Sequence, residues 1–154
     1  MKLCKIFILL LLMSQLLTGC GEDDFVVLSL PAYTHREYYT EGGFQDFTNY
    51  GVYYLEPFEE KKLEENPYFE KVADPEDLCG YIDNFEGWIT AGSELAAHYH
   101  FDKSCVDDGD YFFIDTKEGD PIGKVGHTYR KFDHYNVYFF DLDSWTLYYF
   151  HNNI

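Results

Sequence analysis

Apolar and polar positions change period along this 154-residue chain. Between Asp74 and Gly92, the residues Leu78, Tyr81, Ile82, Phe85, Trp88 and Ile89 recur at helical spacing. At about 100° per residue they form one stripe, with Glu76, Gly80, Asp83 and Gly87 opposite. Asp74 supplies an N-cap and Pro75 fits the first helical position. Glu76 and Asp77 fall in the first turn, where the helix dipole favours acids. The spacing predicts a core-facing helix over about 75–90, stopped at Gly92. Trp88 is read as core, and Cys79 lies at the edge of the stripe.

Beyond this helix the period becomes two. Ala96–Phe101, Tyr111–Thr116, Ile122–Gly126, Tyr135–Leu142 and Trp145–His151 read as strands. Lys117–Pro121 and Asp141–Ser144 read as hairpin turns. Residues 95–151 are therefore expected to form an antiparallel meander of four to five strands. Both faces of its last two strands carry aromatic residues: Val137 and Phe139 oppose Tyr138 and Phe140, and Trp145, Leu147 and Tyr149 oppose Tyr148 and Phe150. A sheet with one wet face would be polar on that face. The helix covers one face, leaving the other to the N-terminal half, to self-association or to a ligand.

The N-terminal half is less regular. Phe25–Leu30 reads as a short strand ended by Pro31, and residues 31–50 read as mostly loop with a Gly42–Gly43 turn. Val52–Leu55 reads as a second short strand. Strong helix formers over Phe58–Glu65 predict an exposed helix of about two turns. Together these elements give an α+β domain over residues 25–154. Its helix-then-meander order over residues 74–154 resembles the cystatin-like or NTF2-like architecture, a likeness of element order that transfers no site residues.

The extreme N-terminus has a different logic. Lys2 and Lys5 precede an apolar run, Ile6–Met13, too short for a membrane span of about 20 residues. Ser14 and Gln15 follow, and then Leu17-Thr18-Gly19-Cys20. This arrangement resembles a bacterial lipoprotein signal peptide ending in a lipobox. The resemblance implies removal of residues 1–19, a diacylglyceryl group on the Cys20 sulfur, and anchoring to the extracytoplasmic face of a bacterial membrane. Residues 20–24 would then be the lipidated cysteine and a short polar tether.

Charge narrows the partners. Without residues 1–19 the chain keeps 135 residues, all 28 acids and 9 of its 11 lysines and arginines, a formal charge of −19. Such a surface disfavours nucleic acid and anionic headgroups. Of 31 Phe, Tyr and Trp residues only Phe7 precedes Cys20, so a core can be built despite the charge.

Several constellations are candidates for chemistry. Cys79 and Cys105 form an even pair in an exported chain and are expected to be a disulfide. Its 26-residue loop would contribute about 3.5 kcal/mol. His98 and His100, on one face of the strand expected at 96–101, could supply two zinc ligands, with His127, His134 or His151 as a third. His98-x-His100-x-Asp102 resembles the metallo-β-lactamase motif, but Lys103 replaces the next histidine and the chain is too short for that fold. Asp107-Asp108-Gly109-Asp110 resembles a calcium-binding turn without EF-hand spacing. Ser93 lies outside any Gly-x-Ser-x-Gly pattern. Trp145, Tyr138 and Tyr148 are candidates for stacking on sugar rings, Trp145 being the expected exposed tryptophan.

No catalytic constellation stands out from these residues. The first functional expectation is a membrane-tethered, non-enzymatic module binding a protein or glycan through an aromatic sheet face. A small metal-assisted hydrolase using His98 and His100 is the second. An acidic inhibitor or immunity-type protein is the third. Oligomeric state is left open.

Overall fold

The computed structural model describes residues 24–43, 46–116 and 134–153. Alternation in the last third of the chain produces β5 (His134–Asp141) and β6 (Thr146–Asn153), paired antiparallel across a turn at 142–145. Upstream, β4 (Tyr111–Thr116) pairs with β5, and the two-residue β3 (Glu70–Lys71) pairs with β4. The expected Ile122–Gly126 strand and the Lys117–Pro121 turn lie outside the described residues, as do Cys20 and the residues preceding it.

On the other side of β6 the sheet continues into the strand expected at Val52–Leu55, which starts earlier, and into residues 31–50, expected to be mostly loop. There β2 (Phe47–Leu55) pairs with β6, and β1 (Tyr33–Gly42) pairs with β2, giving the order β1-β2-β6-β5-β4-β3. The architecture is thus α+β: one open, six-stranded antiparallel sheet with a few short helices. Strand β1 was hidden because its alternation is polar against polar: Thr34, His35, Arg36 and Glu37 carry no apolar period. Its reversal needs Gly42, whose φ is +113° and whose added Cβ would lie 2.3 Å from the Asp46 carbonyl oxygen.

Among the described residues four short helices flank the sheet: α1 (Phe25–Leu28), α2 (Lys61–Glu64), α3 (Pro75–Glu86) and α4 (Glu94–His98). The first corrects the strand expected at Phe25–Leu30. Asp24 Oδ1 accepts from the N–H groups of Val26 and Val27 at 3.0 and 3.1 Å, and this cap outweighs the strand preference of two valines. Only one turn forms in the segment expected to be an exposed two-turn helix, and its Leu63 is fully buried.

The helix predicted at 75–90 is present as α3, with Asp74 capping Glu76 N–H at 3.0 Å and Leu78, Tyr81, Ile82 and Phe85 buried. It ends at Glu86. Tighter i→i+3 hydrogen bonds, Trp88 to Phe85 and Ile89 to Glu86, then rotate the chain off the α-helical stripe, and Trp88 emerges 44% exposed. The strand expected at Ala96–Phe101 is instead α4 and the chain that follows it. Ser93 caps α4 by accepting from Ala96 N–H at 3.0 Å, and Glu94, Leu95, Ala96 and Ala97 are good helix formers.

Two apolar clusters lie on opposite sides of the sheet. The first joins α3, Leu95, Phe101 and Val106 to Tyr50, Val52, Ile114, Tyr135, Val137, Phe139 and Phe150. The second joins Val26, Val27, Leu63 and Phe69 to Tyr53, Leu55, Tyr111, Tyr138, Phe140, Leu147 and Tyr149. The N-terminal half therefore packs over the second aromatic face. Gly51 belongs to that face because a Cβ there would meet the Tyr53 and Tyr38 rings at 3.1 and 3.2 Å.

Candidate functional site

The rings singled out for sugar stacking are packing rings. Trp145 closes the β5–β6 turn with φ +54°, and its indole meets Phe58 edge-on at 4.9 Å and Phe140 at 6.0 Å. Tyr138 is buried, stacked near Tyr149 and Phe113, and its hydroxyl donates to the Asp24 carboxylate. Tyr148 is half-buried with its ring 4.8 Å from Phe101. The expectation about tryptophans is reversed: Trp88, not Trp145, is the exposed one.

His98 and His100 do not share a strand face. His98 ends α4 and stacks on Tyr39 at 4.3 Å with 5° between the planes, whereas His100 lies in the exposed chain beyond the helix. His127 is outside the described residues. Among the described residues no group of three or more His, Cys, Asp or Glu side chains is placed to hold a metal ion.

Of the acidic turn, Asp107 and Asp108 are exposed and Asp110 faces inward. Asp110 accepts from Asp107 N–H and Leu142 N–H, both at 3.0 Å, and so ties this turn to the β5–β6 connection. Both of its oxygens are used by the backbone rather than presented to a cation. Burial raises the Asp110 carboxyl above its ordinary range against these hydrogen bonds.

Cys79 and Cys105 are free thiols, so the expected disulfide is not formed. Ion pairs hold the same elements together: Lys103, in the 3-10 turn Lys103–Cys105, reaches Asp83 at 2.5 Å and Glu86 at 2.8 Å on α3. Burial first, and then Asp141, Asp110 and Asp102, push the Cys105 thiol up to about 12. In pulse alkylation near pH 8, Cys105 should react about a thousandfold more slowly in the native protein than in urea. Equal rates, read by intact mass, would contradict this placement.

Of the two outer strands, β3 is two residues long and β1 is ten, and neither carries a further strand on its outer side among the described residues. On one side of the sheet, Glu37 accepts from the hydroxyls of Tyr54 (3.1 Å) and Tyr39 (3.3 Å). His35 stacks on Tyr54 at 5.6 Å and lies 3.8 Å from Glu37. Partial desolvation, then the Glu37 carboxylate, hold both phenols above their ordinary range. On the opposite side, the Arg36 guanidinium sits 5.7 Å from the Tyr38 ring, which stacks toward Tyr149. Tyr38 and Tyr54 are 39% and 37% exposed.

No protein-family model, curated protein or solved structure matches the chain.

Strand β1 is clamped at its far end. Glu41 accepts from the Ser93 hydroxyl at 2.6 Å and from Thr90 N–H at 3.1 Å. Desolvation acts to raise this carboxyl, but the donated hydrogen bonds outweigh it and hold the group below its ordinary range. Ser93 is thus a helix cap held by a carboxylate rather than an activated nucleophile. The clustered phenols, imidazoles, guanidinium and carboxylate suit stacking and hydrogen bonding. Sequence reasoning missed this surface, although Tyr and Thr between Pro31 and Gly42-Gly43 are an available strand signal.

Proposed function

We propose that this chain is a lipid-anchored, extracytoplasmic interaction module that recognises its partner along β1. The observation that carries the reading is that both faces of the sheet are packed by the chain's own side chains, while the ten-residue outer strand β1 stays open with Tyr38 on it and Tyr54 exposed on the neighbouring β2. An outer strand offers main-chain hydrogen bonds to an incoming extended segment, and alternating side chains supply selectivity. The partner proposed is accordingly a protein segment rather than a glycan. The cystatin-like or NTF2-like resemblance remains an architectural proposal, supported by α3 lying against the sheet.

The lipid anchor is supported by the basic start, the apolar run and Leu17-Thr18-Gly19-Cys20. Among the described residues no helix is long and apolar enough to cross a membrane. Cys20→Ala is expected to shift the protein from the membrane fraction to the soluble fraction or to block its processing. Unchanged, detergent-dependent fractionation would refute the anchor. For the recognition surface, a photocrosslinker at Tyr38 or Tyr54 should join one common partner in intact cells, and Thr40→Pro should abolish that adduct. An adduct formed equally well from Glu70 of β3, at the opposite edge of the sheet, would argue against β1.

A further inference from the structure

We propose that Phe25 and Leu28 dock the domain onto the bilayer surface, fixing how it sits beside the lipid on Cys20. This rests on the lipid-anchor reading above. These two side chains are 80% and 66% exposed, the largest exposures among the big apolar residues of the described chain. Single exposed apolar residues are common on protein surfaces and need no explanation. This pair differs in how it is held.

Positions i and i+3 of one helical turn project from the same side. The intervening Val26 and Val27 are buried in the second apolar cluster, so α1 cannot roll to hide Phe25 and Leu28 without exposing both valines. The turn is fastened at each end. Asp24 caps it and accepts from Tyr138 of the sheet, while Ser29 bonds back to Val26 O at 2.6 Å and accepts from Asn66 at 2.9 Å. An outward apolar pair is thus built into a braced element.

Its position in the chain selects the occupant. Five residue steps separate Cys20 from Phe25, at most about 17 Å even when fully extended. Asp24 already belongs to the fold, which leaves only Gly21, Glu22 and Asp23 between the lipidated residue and the capped turn. The pair is therefore confined near the headgroup region, whose thickness on each side is roughly 5–8 Å. Lys62, one of the 9 basic residues that remain after Cys20, lines a cleft of about 420 Å³ beside α1 with Ser29 and Leu30. Glu65 lines the same cleft and offsets that charge, so the contact rests on the apolar pair and the short tether. Each apolar side chain that leaves water favours the docked orientation by about tenfold or more.

The test uses the full-length lipidated protein reconstituted into vesicles of phosphatidylethanolamine and phosphatidylglycerol with brominated acyl chains. Phe25→Trp should add emission that these vesicles quench, above the background set by Trp88 and Trp145 in the unsubstituted protein. Adding Leu28→Ser should lower the docking equilibrium constant by about tenfold and reduce that extra quenching. If the protein floats with the vesicles but Phe25→Trp is quenched no more than the background, docking is refuted and the anchor stands. If the intact mass lacks a diacylglyceryl group and the protein does not float, the anchor reading fails and takes docking with it. Conversion of a dimer to a monomer by Phe25→Ser with Leu28→Ser, without any bromine quenching, would overturn the proposal in favour of a second copy as the occupant.

Discussion

Raising the pH above about 10 should unfold the domain in one steep transition. Tyr50, Tyr135, Tyr138 and Tyr149 are buried, and burial is the first cause that raises each phenol above its ordinary value. The sign follows from proton counts. Below pH 10 these phenols are neutral in both states and their contribution to stability is complete. Above it the unfolded chain releases four protons that the native state retains, so stability falls as pH rises. Four such groups together withdraw about 5 kcal/mol per pH unit, against a total of about 5–15 kcal/mol for a typical domain. The loss begins at the unfolded value of about 10 and continues as the pH rises toward the raised native values. The half-buried Tyr148, pushed up to about 12, adds a smaller share. The tyrosinate absorbance of these four buried rings should appear only together with the loss of far-ultraviolet circular dichroism. Ionisation of all 15 tyrosines near pH 10 with the dichroism intact would show that these rings are solvated.

A second large effect is expected at Phe85. Its side chain is fully buried where α3 meets the sheet, with ring centroids 5.3 Å from Phe150, 5.7 Å from Tyr99 and 6.5 Å from Tyr50. Phe85→Ala removes the transfer free energy of the ring and leaves a cavity that its aromatic neighbours, themselves packed, cannot readily fill. The expected cost is about 3–5 kcal/mol, a lowered urea midpoint at unchanged slope. Phe25→Ala is the internal control: an exposed ring outside both clusters should change stability by no more than about 0.5 kcal/mol. A Phe85 loss as small as that of Phe25 would mean that α3 is not seated as described.

The two rings also show what a linear pattern can and cannot resolve. Phe85 was legible because its neighbours on the stripe, Leu78, Tyr81 and Ile82, lie within one helix whose cap is local. Trp88 sits only three residues further along the same stripe, yet two i→i+3 hydrogen bonds turn it outward. The histidine pair failed for a similar reason: His98 and His100 alternate as a strand would, but Ser93 and a run of helix formers determine the backbone there. For Trp145, proximity to a turn suggested exposure, while Phe58, nearly ninety positions earlier in the chain, packs against its indole.

By itself the sequence determined α3 and the strands β4, β5 and β6, because caps, side-chain periodicity and turn residues act over a few positions. It also established that aromatic residues occupy both faces of the last hairpin. Only the tertiary structure decided what covers the second face, and that the polar run Tyr33–Gly42 is the outer strand of the sheet. A polar outer strand owes its conformation to the hydrogen-bond ladder supplied by β2, and a sheet face is closed by residues brought from far along the chain. Those are long-range interactions, and they leave no period in the residues that depend on them.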